Sequence, residues 1–248
     1  MRHFLLSAFC ALAALPVFAA DNPAFSAPVP KPPADAKHPR VLLVGGGSSH
    51  NFAKFFGEAD KATLAGNVGW VDFTENANGT PEVFPDVDVL VWSANQPIAS
   101  ATAKALTDWV DAGKPLVLLH PGVWYNWGNF PQWNKEIVGG GSRGHDALGE
   151  FEVKVVNPTH PITQGVPASF KVTDELYHTE VDPAGTPIEV LAETQPSPGT
   201  GKTYPSVWVV KHPKARIVSI ALGHDNRVHD LDAYKALLRN AVAWVLAK

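Results

Sequence analysis

The sequence predicts a doubly wound α/β domain, a mostly parallel sheet with helices on both faces and an inserted antiparallel strand section. Three observations carry this. VLLV (41–44), VDVLVW (87–92) and PLVLLH (115–120) are apolar runs of the kind that form strands buried on both faces. Helical patterns separate them in the order strand, helix, strand, strand, helix, strand, which favours parallel pairing through right-handed crossovers. The second half is instead rich in strands that follow one another without helices.

Taken in order, residues 1–19 carry Arg2, an apolar run and Val17-Phe18-Ala19 as a cleavage site, the pattern of a secretory signal peptide. The run is too short for a spanning helix, which needs about 20 apolar residues. Export implies a periplasmic or secreted, soluble protein with no membrane insertion after cleavage. Cys10, the one cysteine, lies in this segment, and Phe9 before it does not fit a lipid-attachment site. The mature chain then has no disulfide, no cysteine-bound metal and no thiol nucleophile. Residues 20–39 are a Pro/Ala-rich extended linker, and the domain occupies 40–248.

The first strand, from Arg40, turns at Gly45-Gly46-Gly47, after which Ser48 or Ser49 is placed to cap a helix over HNFAKFFGEADKATLA (50–65). VGWVDF (68–73) and VDVLVW are strands, ATAKALTDWVDAG (101–113) is a helix and PLVLLH is a strand. FEVKVV (151–156), SFKVT (169–173), IEVLAET (188–194), YPSVWVVK (204–211) and RIVSIALG (216–223) follow as strands. A closing helix spans 230–246, with an apolar stripe at helical spacing.

Net charge is −4 with no basic stripe, which argues against nucleic acid as a partner. VGGGSRGHDALGE (138–150) spaces Gly139 and Gly144 like a phosphate loop. His145 and Asp146 replace its Lys and hydroxyl residue, and a strand rather than a helix follows. These glycines are expected to form a flexible hinge, with Arg143 holding an anionic group or pairing with Glu150. The Gly45-Gly46-Gly47 turn lacks the third glycine of a dinucleotide fingerprint, because His50 stands there.

Ligands of open α/β sheets bind beyond the carboxyl ends of the strands. His50, His120 and His224 all fall at such ends. GHD occurs at 144–146 and again at 223–225, where Asp146 and Asp225 are placed to orient His145 and His224. In HPGVWYNWGNFPQWNKEIVGGG (120–141), Trp124, Tyr125, Trp127, Phe130 and Trp133 are broken up by Gly and Pro, so they are not one helical core stripe. Flat aromatic faces interleaved with Asn126, Asn129, Gln132 and Asn134 suit a sugar, with its apolar C–H face and hydroxyl rim. The bland reading is an aromatic lid that binds nothing. Asp174-Glu175-Leu176-Tyr177-His178 offers Glu175 as an acid or base and Tyr177 as a donor. His160, between Pro158 and Pro161, reads as a rigid loop residue.

With these residues in view, the sequence resembles the ThuA-like (trehalose utilisation) family from about Arg40 to the C-terminus. The resemblance rests on VLLVGGGSSHNF, the HPG-aromatic loop with its GGG-x-x-GH, HPIT-x-G, DELY and ALGHD. It implies the class I glutamine amidotransferase-like fold, which is flavodoxin-like. There the amidotransferases carry a nucleophilic Cys on the sharp turn after a central strand. Here that place falls on His120-Pro121-Gly122, so thiol-dependent amidotransfer is excluded. The family's link to disaccharide and keto-sugar metabolism implies a carbohydrate partner.

The leading expectation is therefore acid–base chemistry on a glycoside or keto-sugar: hydrolysis, elimination or isomerisation. His120, Glu175, Tyr177 and His224 are the catalytic candidates. His50, Trp124, Tyr125, Asn126, Trp127, Trp133, Arg143, His145 and Asp225 are the substrate-binding ones. A non-catalytic carbohydrate-binding module and a metal-dependent hydrolase are the alternatives. For the latter, His50, His120, His145 and His224 offer nitrogens and Glu175 or Asp225 an oxygen to a divalent metal such as Zn²⁺. No pair has the tight helical spacing of a H-E-x-x-H site, and the oligomeric state is left open.

Overall fold

The computed structural model describes residues 22–247, so the expected signal segment (1–19) and Cys10 lie outside the described residues. Four strands open the domain: β1 (Arg40–Val44), β2 (Trp70–Thr74), β3 (Val89–Trp92) and β4 (Leu116–Leu119). Six more, β5 (Gly140–His145), β6 (Gly149–Val155), β7 (Ser169–Asp174), β8 (Tyr177–Val181), β9 (Ile188–Thr194) and β10 (Pro205–Val210), form the inserted section. The chain returns through β11 (Ile217–Ile220). Between β1 and β2 the backbone coils as a π-helix over Ala53–Asp60 and then as α1 (Lys61–Leu64); α2 (Ser100–Asp111) joins β3 to β4. Two helices, α3 (Asn226–His229) and α4 (Asp232–Leu246), end the chain.

The main sheet has the order β2-β1-β3-β4-β11-β10-β9-β6-β7. Its first five strands pair in parallel, and from β11 onward every neighbour is antiparallel. The insertion thus extends the parallel sheet with four antiparallel strands. β5 and β8 pair apart from it as a separate two-stranded ribbon.

The unbroken apolar runs are explained by burial on both faces. Val41, Leu43, Val117 and Leu119 pack with Phe52, Phe56 and the apolar stripe of α4, Leu237, Leu238 and Val242. Leu42, Leu90, Leu116 and Leu118 face the other way, onto Leu106 and Trp109 of α2 and a cluster of Trp92, Trp127, Phe130 and Trp133. Alternate side chains of one strand therefore meet two different cores.

Several local expectations are corrected. The cap of the first helix comes from Asn51, whose Oδ1 accepts from the Lys54 N–H at 3.1 Å, and not from Ser48 or Ser49. Ser49 turns instead to the His50 ring. The Gly139–Gly141 run is a helix cap leading into a strand rather than a hinge. Gly139 closes the preceding π-turn in the left-handed region at φ 75°, while Gly140 and Gly141 sit at φ 151° and 146° in β5. A Cβ on Gly140 would strike the Glu180 carbonyl of the paired strand, and one on Gly141 would lie 2.7 Å from the Val123 carbonyl. Only glycine permits that approach. The segment preceding the domain lies against it, with the Ala27 carbonyl accepting from Asn76 Nδ2 at 2.8 Å.

Candidate functional site

The chain leaves β1 for β2 on one side and crosses to β3 on the other, so the winding reverses between β1 and β3. Loops diverge from such a point and leave a crevice at the carboxyl ends. A cavity of about 360 Å³ lies there, lined by Ser49, His50, Asn95, Trp124, Tyr125, Asn126, His145, Glu175 and Tyr177. Each lining residue comes from a strand end or from the insertion folded back over those ends.

His50 follows β1, and its Nδ1 is 2.6 Å from Ser49 Oγ. His120 follows β4 and is fully buried. It is the one non-glycine residue at positive φ among the described residues, at 30°, a backbone state that persists only where its surroundings impose it. Its Nδ1 lies 2.7 Å from the Ala221 carbonyl. A carbonyl can only accept, so that nitrogen carries the proton and Nε2 points inward. Tyr177 stacks on the His120 ring at 4.2 Å, with Trp124 edge-on to Tyr177 at 5.2 Å.

Glu175 is the meeting point. Its Oε2 lies 3.6 Å from His120 Nε2, while Oε1 lies 3.6 Å from His224 Nε2 and 3.7 Å from His145 Nδ1. Burial opposes its charge, yet His120, His145 and His224 outweigh that and hold the carboxyl below its ordinary value. Burial, joined by His120 and His224, pushes the His50 imidazole down to about 3. Tyr177 is pushed well above the usual phenol range, first by burial and then by Glu175 and Asp174, so it remains a neutral donor. His224 is steered by Asp225, whose Oδ2 is 3.1 Å from its Nδ1.

The five residues His50, His120, His145, Glu175 and His224 thus converge, together with Tyr177. Trp124, Tyr125 and Asn126 form a wall of the cleft. Other binding candidates are corrected. Trp133 is fully buried and donates from Nε1 to the Gly122 carbonyl; Trp127 is buried and donates to the Gln96 carbonyl. Both are core, because the loop folds its later aromatics under the sheet end onto Trp92. Arg143 stacks over the Tyr125 ring at 3.8 Å and lines an outer groove rather than the cleft. Its suggested partner Glu150 pairs with Lys171 instead, at 2.7 Å. Asp225 caps α3 and is held by Arg227 and His224, so its carboxylate is committed to protein groups. His120 and His224 stand behind Glu175 rather than on the cleft wall. His160 accepts from the Ile162 N–H, as a turn residue does.

Sequence reasoning missed three features. Ser49 and Asn95 line the cleft, Asn95 Nδ2 donating to Ser49 Oγ at 2.9 Å, and their position at the ends of β1 and β3 was the available signal. Asp174, fully buried, accepts from the backbone N–H groups of Glu175 (2.8 Å), Gly223 (2.9 Å) and His224 (3.1 Å). Behind the site, His229 Nδ1 lies 2.7 Å from Asp60 Oδ1, Tyr234 donates to Asp60 Oδ2, and His229 Nε2 approaches the Gly223 carbonyl at 3.1 Å. Only the fold brings Asp60 and Asp174 to these partners.

The ThuA family profile, described as trehalose utilisation, matches residues 40–245. No curated protein matches the chain. Among solved structures, a putative ThuA-like protein from Bacteroides uniformis superimposes with a TM-score of 0.73 at 22 % identity, covering 88 % of this chain and 96 % of that one. A second putative ThuA-like protein, from Parabacteroides merdae, gives 0.72 at 20 % identity over 83 % of this chain and 89 % of its own. A putative GMP synthase protein from Thermoplasma acidophilum shares the fold more distantly, with a TM-score of 0.53 at 14 % identity over 83 % and 94 % of the two chains. With its parallel core, switch-point cleft and matched span, the chain belongs to the ThuA family.

Proposed function

We infer that the protein processes a carbohydrate by acid–base chemistry, taking a glycoside or keto-sugar in the cleft between β1 and β3. One observation carries the reading: the Glu175 carboxylate lies at the foot of a cleft walled by Trp124 and Tyr125 and rimmed by Ser49, Asn95 and Asn126. Aromatic faces take the C–H side of a sugar, and the hydroxyl and amide groups take its rim. The cavity is at the small end of the range of about 300–1,000 Å³ typical of ligand pockets, which suits one sugar ring at a time.

A keto group acidifies the C–H beside it. Glu175 takes that proton while charge develops on the keto oxygen, where the neutral phenol of Tyr177 is the available donor. In an elimination the electron pair then forms a C=C bond and expels the oxygen substituent one carbon further on, which takes a proton from His145. In an isomerisation the proton is returned at the other carbon. His120 and His224 act on Glu175 rather than on the sugar, which shifts His120 from proton transfer to support.

The test is turnover of a 3-keto-glycoside by the purified protein. Glu175→Gln should lower it by about 10²–10⁴-fold, the usual worth of a positioned base. Equal rates in both proteins would sink the assignment. Calorimetric sugar binding that survives the substitution without product would instead favour a binding module. We also propose export to the periplasm or medium, supported by residues 1–19; among the described residues no helix is long and apolar enough to cross a membrane.

A further inference from the structure

One ring nitrogen of His50, one of His120 and a Glu175 carboxylate oxygen all lie within 4.8 Å of one another. His50 Nε2 and His120 Nε2 are both buried and have no hydrogen-bond partner. Each ring's other nitrogen is engaged outward, His120 Nδ1 with the Ala221 carbonyl and His50 Nδ1 with Ser49 Oγ. The carbonyl keeps a proton on His120 Nδ1, so in the neutral ring the Nε2 lone pair is aimed at the carboxylate. The 3.6 Å separation from Glu175 Oε2 is too long for a hydrogen bond. It is close to the ~3.4 Å that separates two ligands of one tetrahedral ion with bonds of about 2.1 Å.

We propose that His50, His120 and Glu175 bind a divalent first-row transition-metal ion. Two imidazoles and one carboxylate are the donor set that such ions take while keeping positions open. The outward hydrogen bonds are the supporting shell that holds the ring angles, and the Ala221 carbonyl also fixes the His120 tautomer. His224 repeats the pattern, with Nδ1 on Asp225 and Nε2 3.6 Å from Glu175 Oε1, and borders the ion on the remaining side. The open positions face the cleft, where His50 and Glu175 are lining residues. This rests on the reading of the cleft as a sugar site, where the ion would act beside Tyr177 as a second electrophile for the keto oxygen. One Glu175 oxygen holds the ion, and the other remains free for the proton.

Zn²⁺, Mn²⁺ and Co²⁺ are titrated calorimetrically into chelator-treated protein that carries no affinity tag, and the Co²⁺ form is examined by visible absorption. One ion per chain, a Co²⁺ ligand-field band, and affinity at least ~10²-fold weaker in His120→Ala and His50→Ala are expected, with His178→Ala unchanged. That loss matches or exceeds the 10–100-fold that removal of a supporting partner costs. Circular dichroism separates loss of ligand from loss of fold, and His120→Gln supplies a second, milder variant. No stoichiometric binding of any of the three ions, or equal affinity in folded His120 variants, overturns the site. Full keto-glycoside turnover by metal-free protein overturns the ion's role as electrophile while leaving the sugar reading standing. Stoichiometric binding without turnover supports the site and fails the sugar reading.

Discussion

Asp174→Ala is the most informative single change, because one buried carboxylate ties two halves of the site together. It accepts three backbone hydrogen bonds, from Glu175 beside it and from Gly223 and His224 on the loop after β11. The turn that presents Glu175 is thereby locked to the loop that presents His224. Burial pushes the carboxyl above its ordinary range, opposed by His120 and by these N–H groups. Removing the acceptor leaves the Gly223 N–H buried without a partner and loosens two others. An orphaned buried donor costs about 1–3 kcal/mol, and relief from keeping a buried carboxylate offsets the loss of the other two bonds. A net loss of about 1–3 kcal/mol follows, which in a domain of this size corresponds to a fall in Tm of roughly 2–12 °C at about 2–4 °C per kcal/mol. Differential scanning calorimetry reads it directly. Keto-glycoside turnover measured well below the new Tm should fall as well, since Glu175 and His224 lose their common anchor. A Tm within about 1 °C of the parent, equivalent to less than about 0.5 kcal/mol, would refute the reasoning.

Trp133→Ala should cost about 3–5 kcal/mol in urea denaturation, as for other buried large-to-small changes, whereas Trp124→Ala should leave stability nearly unchanged and weaken sugar binding in calorimetry. The opposite pattern would mean that the loop's aromatics are assigned the wrong way round. Gly140→Ala should unfold β5 from β8, because its Cβ has no space beside the Glu180 carbonyl and φ is 151°; a parent-like Tm would contradict that. His229 is held above its ordinary value, burial opposing the charge and Asp60 outweighing it, and burial raises Asp60 as well. In both cases the folded state binds more protons than the unfolded one, so the stabilisation from His229 is complete below its unfolded value of 6.5 and is lost as pH rises through the folded value. The stability gap between the parent and His229→Gln should therefore narrow from pH 6 to pH 9, and a constant gap in urea midpoints would refute the linkage.

What was legible in the sequence follows a physical pattern. The strands β1, β3, β4 and β11 announce themselves because burial on both faces demands unbroken apolar runs, and IEVLAET marks β9 (Ile188–Thr194) to the residue. β5 and β8 were not legible. GGSRGH is glycine-rich because its backbone lies against Glu180 and Val123, a tertiary demand with no periodicity. YHTEV alternates, but it begins on the last residue of DELY and so reads as the tail of a charged turn. Trp127 and Trp133 misled for a related reason. Gly and Pro do exclude a helical stripe, yet an irregular loop can still fold its rings into the core when each indole N–H finds a carbonyl.

The candidate site was legible as far as strand ends determine it. His50, His120 and His224 fall at the carboxyl ends of β1, β4 and β11, which the parallel order makes near neighbours. Glu175 and His145 come from outside that frame and reach it only because the β7–β8 turn and the end of β5 fold back over the sheet. The turn after β4 sharpens the role of His120. Its φ of 30° shows the chain bending sharply there, and a Cβ on Gly122 would lie 2.6 Å from the Trp92 carbonyl. A side chain held rigidly on this turn, with its outer nitrogen tied to Ala221, has its inner nitrogen fixed toward Glu175. The strained turn is thus accounted for by the precision with which it aims one imidazole nitrogen.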